Sequence, residues 1–194
     1  VTVSNAALYL DIGTTEGAAN MHQLIGFGYR NNTTGAKPAY IGYKATDWSS
    51  HTKGDLIFGT RNTTGATDEA TERLRIDSSG RLLVGHTSTI DTSTYNSKIQ
   101  VMGTDAAASI TVGRFGDNAS ASSIHLTKSR NGTVGNHGSG ELHDGDVIGN
   151  IFWWGSDGGD YEEAARIGVN AGAAYTSGGT PGELTFWTTA AGAT

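Results

Sequence analysis

The sequence predicts an all-β protein built from repetitive, short-stranded β units, and three observations carry that prediction. Short apolar runs, alternating or continuous, recur between turn formers along the chain, whereas an apolar period of 3.6 is almost nowhere sustained. The 29 glycines stand against only two prolines, a composition that supplies many turns and few strand breakers. Ile, Leu, Val, Trp and Tyr recur throughout the Ser-, Thr-, Asn- and Ala-rich background, so the chain reads as ordered and turn-rich rather than disordered.

Taken in order, the strands expected in the first half are Ala7 to Ile12, Leu24 to Tyr29, Ala39 to Tyr43, Asp55 to Thr60, Arg73 to Ile76 and Arg81 to Val84. In the second half they are Lys98 to Met102, Ser109 to Phe115, Ser123 to Ser129, Asp146 to Trp154, Ala165 to Val169 and Glu183 to Thr188. A helix over Asp68 to Arg75 competes with one of them, because Asp68 resembles a cap ahead of Glu69 and Glu72. It is the weaker reading, since the stretch is short and runs into Arg-Leu-Arg-Ile.

The stretch Glu72 to Gly85 has the chemistry of a hairpin. Leu74 and Ile76 fall on one face, Arg73 and Arg75 on the other, because strand side chains alternate. Asp77, Ser78 and Ser79 can bond nearby amides, and Gly80 can take the positive φ that closes such a turn. Leu82 and Val84 then rejoin the face of Leu74 and Ile76, and these four are expected to be interior.

Three blocks recur in the same order in the two halves. Leu24-Ile25-Gly26-Phe27 matches Val147-Ile148-Gly149-Asn150, and Ala39-Tyr40-Ile41-Gly42 matches Ala165-Arg166-Ile167-Gly168, with Ala45 and Ala171 following. The clearest block sets Gly54 to Thr60 against Gly182 to Thr188, each leading to Gly-Ala-Thr at 65–67 and 192–194. A duplication follows as the expectation, with one β unit over 1–90 that ends in the hairpin and a second over 91–194. The second stops where its own hairpin should begin, so the chain reads as a piece of a longer protein.

Composition narrows function. The formal net charge of -6 is scattered, with no basic block to neutralise a line of phosphates, which argues against nucleic-acid binding. No apolar run reaches the roughly 18 residues of a membrane helix, and no signal peptide is recognisable, so neither membrane insertion nor a leader is expected. There is no cysteine, hence no disulfide and no thiol nucleophile. With 36% hydrophobic residues spread thinly over two units, each would bury a meagre core alone, and stability is expected to come from association.

The run Glu-Arg-Leu-Arg-Ile-Asp-Ser-Ser-Gly followed by an apolar strand and glycine, Glu72 to Gly85, resembles the recurrent motif in the shafts of bacteriophage tail fibres. Ser109 to Arg114, Leu126 to Arg130 and Gly145 to Gly149 are similar to that family too. Such fibres often end in an endosialidase-type self-cleaving chaperone, which is not recognisable in these residues. The resemblance implies an elongated homotrimer whose β units are intertwined or side by side, in a virion made in the bacterial host cytoplasm, in contact with other virion proteins and presenting host-contact surfaces. A receptor-binding module for host surface polysaccharide is the alternative, and a depolymerase a more distant one.

No site residue follows from the resemblance, so candidates rest on chemistry. Trp153, Trp154, Tyr175 and Trp187 are the candidate glycan contacts, because aromatic faces stack on sugar rings. As strand neighbours, Trp153 and Trp154 must point to opposite faces, one inward and one exposed. Interchain packing is the competing and stronger role, and Trp48 near His51 is a weaker surface candidate. His137, His143, Asp144 and Asp146, and separately Asp157, Asp160, Glu162 and Glu163, offer metal-ligand types without a recognised spacing, so solvated loops are expected and no metal or cofactor. Asp117, Glu141 and Asp157 offer carboxylates for glycoside hydrolysis, but their spacing does not set them apart from surface charge, and no catalytic motif is present, so no enzyme is expected. The sequons at Asn31 and Asn131 read as incidental.

Overall fold

A computed structural model describes residues 18, 20–28, 37–49, 52–65, 68–92, 95–136 and 138–191. Ala7 to Ile12, Asn31, His51, His137 and residues 192–194 lie outside them. The described residues are all-β, with nine strands and no helix. Contacts divide the chain into one unit of Val1–Ile90 with Asn96–Ile110 and another of Asp91–Tyr95 with Thr111–Thr194.

In the first unit, β1 (His22–Phe27), β2 (Ala39–Asp47), β3 (Lys53–Thr60), β4 (Thr71–Ile76), β5 (Leu82–Val84) and β6 (Ile99–Val101) form one sheet in chain order. Every pairing is antiparallel except that of β5 with β6. Because β6 completes this sheet, the first unit runs past the division expected at residue 90. The stretch considered for a helix is instead the approach to β4 and most of that strand: Arg73 and Arg75 leave Leu74 and Ile76 on one side, a period of two that a helix cannot use.

The hairpin forms as its residues dictate. Asp77 Oδ1 accepts from the amides of Ser79 and Arg81, both at 2.9 Å, and the Asp77 amide donates to the Arg81 carbonyl at 3.0 Å. Gly80 has φ of 72°, the left-handed conformation that costs a side-chain-bearing residue most. Leu74 then stands opposite Val84, and Ile76 opposite Leu82.

Register shows which side of this sheet the chain covers. Ile25, Ile41, Phe58, Leu74, Val84 and Val101 form one row across all six strands, and Gln23, Tyr43, Leu56, Ile76, Leu82 and Ile99 form the next on the same face. The other face carries the row Leu24, Gly42, Ile57, Arg75, Leu83 and Gln100. This mixed face is the more enclosed from β3 to β6, where Ile57, Arg75, Leu83 and Gln100 are buried, while Leu24 on β1 is 45% exposed. On the other face Ile41, Phe58, Leu74 and Val84 are half-buried, Ile25, Leu56 and Ile76 are each 40% exposed and Ile99 is 63% exposed. The expectation that Leu74, Ile76, Leu82 and Val84 are interior is therefore corrected within one chain. They share a face, but the enclosed residues of the hairpin are Arg75 and Leu83.

A polar network makes burial of the mixed face tolerable. Arg75 donates to Asp55 Oδ2 and, through two nitrogens, to Glu72 at 2.7 and 2.8 Å, while Asp55 Oδ1 accepts from the Ser78 amide at 2.9 Å. The Gln100 side chain bonds both the amide and the carbonyl of Ile90, tying the following loop over the same face. Asp55, Arg75 and Gln100 thus each have partners, without which their burial would be costly.

In the second unit, β7 (Val147–Ser156), β8 (Tyr161–Ala171) and β9 (Gly182–Thr188) form a three-stranded antiparallel meander. Its internal pairing parallels that of β1 to β3. Ile41 faces Phe58 as Ile167 faces Phe186, and the buried Ala45 and Ala171 face Gly54 and Gly182. Ala45 exchanges backbone bonds with Asn20 and Met21 as Ala171 does with Gly145 and Asp146, and both Asn20 and Gly145 have positive φ. The first sequence block does not align this way: Ile25 opposes Ile41 and Ile151 opposes Ile167, so Ile151 rather than Ile148 holds the place of Ile25. A bulge between Val147 and Gly149 shifts the register there.

Two expected strands, Ser109 to Phe115 and Ser123 to Ser129, are not formed within the chain. Every residue from Gly103 to Arg130 is exposed, and among the described residues 110–129 make no backbone-to-backbone hydrogen bond.

Candidate functional site

The second sheet has two unlike faces. On one stand Gly149, Val169 and Leu184, then Ile151, Ile167 and Phe186, then Trp153, Ala165 and Thr188. This face is apolar and open, with Trp153 49%, Ile151 55%, Leu184 63% and Phe186 69% exposed. A contiguous apolar patch of this kind is often a contact surface.

The opposite face carries an aromatic row with a cation in it. Phe152, Arg166 and Trp187 are cross-strand neighbours, and the Arg166 guanidinium carbon lies 4.3 Å from the Trp187 ring centroid and 5.8 Å from that of Phe152. Phe152 packs on Trp154 at 5.5 Å between centroids, and Tyr95 closes on both, at 5.9 and 6.2 Å. Glu163 sits 3.4 Å from Arg166 Nε and balances its charge. Gly168 leaves room beside the row, because a Cβ there would crowd Asn150 Oδ1 and lie 3.2 Å from the Trp187 ring.

Strand alternation separates the four aromatic candidates. Trp154 and Trp187 share the row with Arg166, whereas Trp153 points to the open apolar face. Tyr175 is elsewhere, in the loop after β8, where its amide donates to the carbonyl of the buried Leu142 at 2.7 Å beside Lys128 and Glu141. Phe152 was legible as the i−2 neighbour of Trp154, but Tyr95 is brought in only by tertiary folding.

Of the carboxylates considered for metal or catalysis, Asp157 and Asp146 hold loops. Asp157 Oδ1 accepts from the amides of Gly159 and Asp160 at 2.7 and 2.9 Å. Asp146 takes both Arg130 nitrogens at 2.6 and 2.8 Å, the His143 amide at 2.9 Å, and lies 3.4 Å from Lys128 Nζ. Among the described residues no three His, Cys, Asp or Glu side chains converge as a metal cage would require.

The Arg130 guanidinium first, and the His143 amide second, hold the Asp146 carboxyl far below the ordinary carboxylate range. A depressed pKa in the folded state contributes stability above the unfolded value of about 3.9, and that contribution is lost as pH falls through the folded value. The His143 amide resonance is therefore expected to show no carboxylate titration above about pH 3. In Arg130→Gln a midpoint should appear nearer the ordinary range, and an unchanged profile would contradict the Arg130 clasp.

No family model and no curated protein matches the sequence. Among solved structures, the chain is similar to the carboxy-terminal domain of the bacteriophage T5 L-shaped tail fibre, with a TM-score of 0.69 over 97% of this chain and 80% of that one. The two chains share a fold. At 14% identity, the likeness concerns the path of the backbone rather than individual side chains.

Proposed function

We propose that the chain is a structural segment of a bacteriophage tail fibre, assembled as a homotrimer and carried on the virion beside other virion proteins. The observation that carries this reading is the inverted burial of its sheets. In the first unit the chain encloses the mixed face with its ion network and leaves the apolar face open, and the second unit leaves its own apolar face open as well. At about 180 Å² per fully exposed large side chain, the exposed fractions of Ile25, Phe27, Leu56, Ile76 and Ile99 amount to roughly 400 Å², and those of Ile151, Trp153, Leu184 and Phe186 to a similar area. Together that is about what one partner contributes to a stable interface, roughly 800 Å².

Identical chains disposed about an axis would cover these faces. The likeness to a tail-fibre domain and the shaft-like Glu72 to Gly85 hairpin support the choice of a fibre, and the matching antiparallel registers of β1 to β3 and β7 to β9 support two copies of one module, one lying within 1–90 and the other within 91–194. Packing the apolar faces inward turns the Phe152, Trp154, Arg166 and Trp187 row outward, where host contact is placed. Trp153 then serves packing between chains. No catalytic step is assigned.

Electron microscopy of the purified protein tests the assembly: end-on averages should show three-fold symmetry, and two-fold or asymmetric views would contradict it. A glycan array probed with the assembled protein tests host contact. Loss of a polysaccharide signal in Trp187→Ala but not in Trp153→Ala is the expected result if the outward row binds sugar, and equal loss in both would contradict the assignment.

A further inference from the structure

Residues 111–129 have the sequence of two strands and the surroundings of none. Thr111 to Gly116 and Ser120 to Ser129 run without turn or bend, joined by a bend over 117–119 in which the Asn118 side chain accepts from the Ser120 amide at 3.0 Å and from Arg114 at 3.2 Å. The two arms do not pair with each other, and among the described residues neither arm pairs with any strand of its own chain. Their apolar residues stand in the open: Phe115 is 101% exposed, Ile124 76%, Leu126 51% and Val112 48%.

The base of the second arm is anchored, so the segment is not a loose loop. Leu126 packs over Gly149, where an added Cβ would meet Leu126 Cβ at 2.9 Å, and Lys128 and Arg130 both reach Asp146. Val112 and Arg114 share one side of the first arm, and Ile124, Leu126 and Lys128 one side of the second, the alternation of half-buried strands. In the single chain the backbone groups of these exposed arms face water, so their ladder positions are open, and a second copy of this chain brings the same open arms, unpaired sheet edges and apolar faces.

We propose that residues 111–129 make their backbone hydrogen bonds with a second copy of this chain. The inference rests on the homotrimer read above and deepens it, since sheet faces alone would associate the chains side by side. Donated arms interlock them through main-chain bonds, and the exposed Val112, Phe115 and Ile124 are then buried between copies.

Amide hydrogen exchange on the assembled protein is the test. The amides of residues 111–129 are expected to exchange about 100-fold or more slowly than free peptide, and to lose that protection when the assembly is diluted to single chains. Exchange at the free-peptide rate in an assembly that sedimentation shows to be intact would overturn the donation and leave the homotrimer standing. Protection that persists in the dissociated chain would overturn it too, because the bonds would be internal. A folded monomer at micromolar concentration would remove the homotrimer and the donation together.

Thr111→Pro and Val112→Pro give an independent readout. At a solvated, extended position proline is neutral or slightly stabilising, but in a paired strand it deletes a ladder bond on one of two successive residues. One of the two variants is expected to lower the concentration stability of the assembly at least tenfold with the far-ultraviolet spectrum of the sheets unchanged. Neutrality of both would overturn the proposal.

Discussion

Ile151→Asp combined with Phe186→Asp is expected to abolish self-association while leaving the single chain folded. Both residues flank Ile167 in one row of the second sheet, and both are more than half exposed in the chain itself. A carboxylate at either place therefore meets water in the monomer and buries nothing charged. In the assembly the same groups would be desolvated against an apolar face without a partner, at a cost of about 2 kcal/mol or more apiece. Since about 1.4 kcal/mol is tenfold in affinity, the dissociation constant should rise roughly a thousandfold. Sedimentation velocity checks the association, and circular dichroism checks that the strands persist. Unaltered assembly in the double variant would mean that this face lies outside the interface.

The second large effect lies in the enclosed ion network of the first sheet. Arg75→Ala strands Asp55 and Glu72, whose side chains are 5% and 15% exposed, without their guanidinium. Removing one member of a buried ion pair costs about 3–5 kcal/mol, chiefly because the remaining charge has lost its compensation. Urea unfolding should show a midpoint lowered accordingly. Asp55→Asn is expected to cost less than Asp55→Ala, because the amide oxygen can still accept from the Ser78 amide. Equal stability of Arg75→Ala and the parent would show that water reaches this face freely.

The residues foretold the local structure better than what covers it. Asp77, Gly80 and the alternation of Leu74, Ile76, Leu82 and Val84 specified the hairpin and its register, because turn chemistry and period two are local properties. Which face is enclosed was not legible. Arg75 looked outward by composition, and its burial rests on the neighbouring Glu72 together with the distant Asp55, which the Ser78 amide holds in place. The reading of Ser109 to Phe115 and Ser123 to Ser129 as strands failed within the chain for a related reason: an alternating pattern states a tendency to pair but not the partner. The first repeated block lies three residues from its structural counterpart because Leu-Ile-Gly resembles Val-Ile-Gly in composition while the strand pairing matches Ile25 to Ile151; the bulge at Val147 accounts for one residue of shift.

At the candidate site, the opposite orientation of Trp153 and Trp154 was legible from strand alternation alone. Grouping Tyr175 with them was not supported, since it sits in a separate loop against Leu142. Arg166 was missed as a member of the aromatic row, although its place as the cross-strand neighbour of Phe152 follows once the register of β7 and β8 is fixed.

Everything above turns on whether one copy of this polypeptide can satisfy its own apolar surface. Sedimentation equilibrium of the parent protein at micromolar concentration measures that directly. The expected species has about three times the 20.1 kDa mass of the chain, with no measurable single-chain population. A homogeneous 20.1 kDa species that unfolds cooperatively would contradict the account.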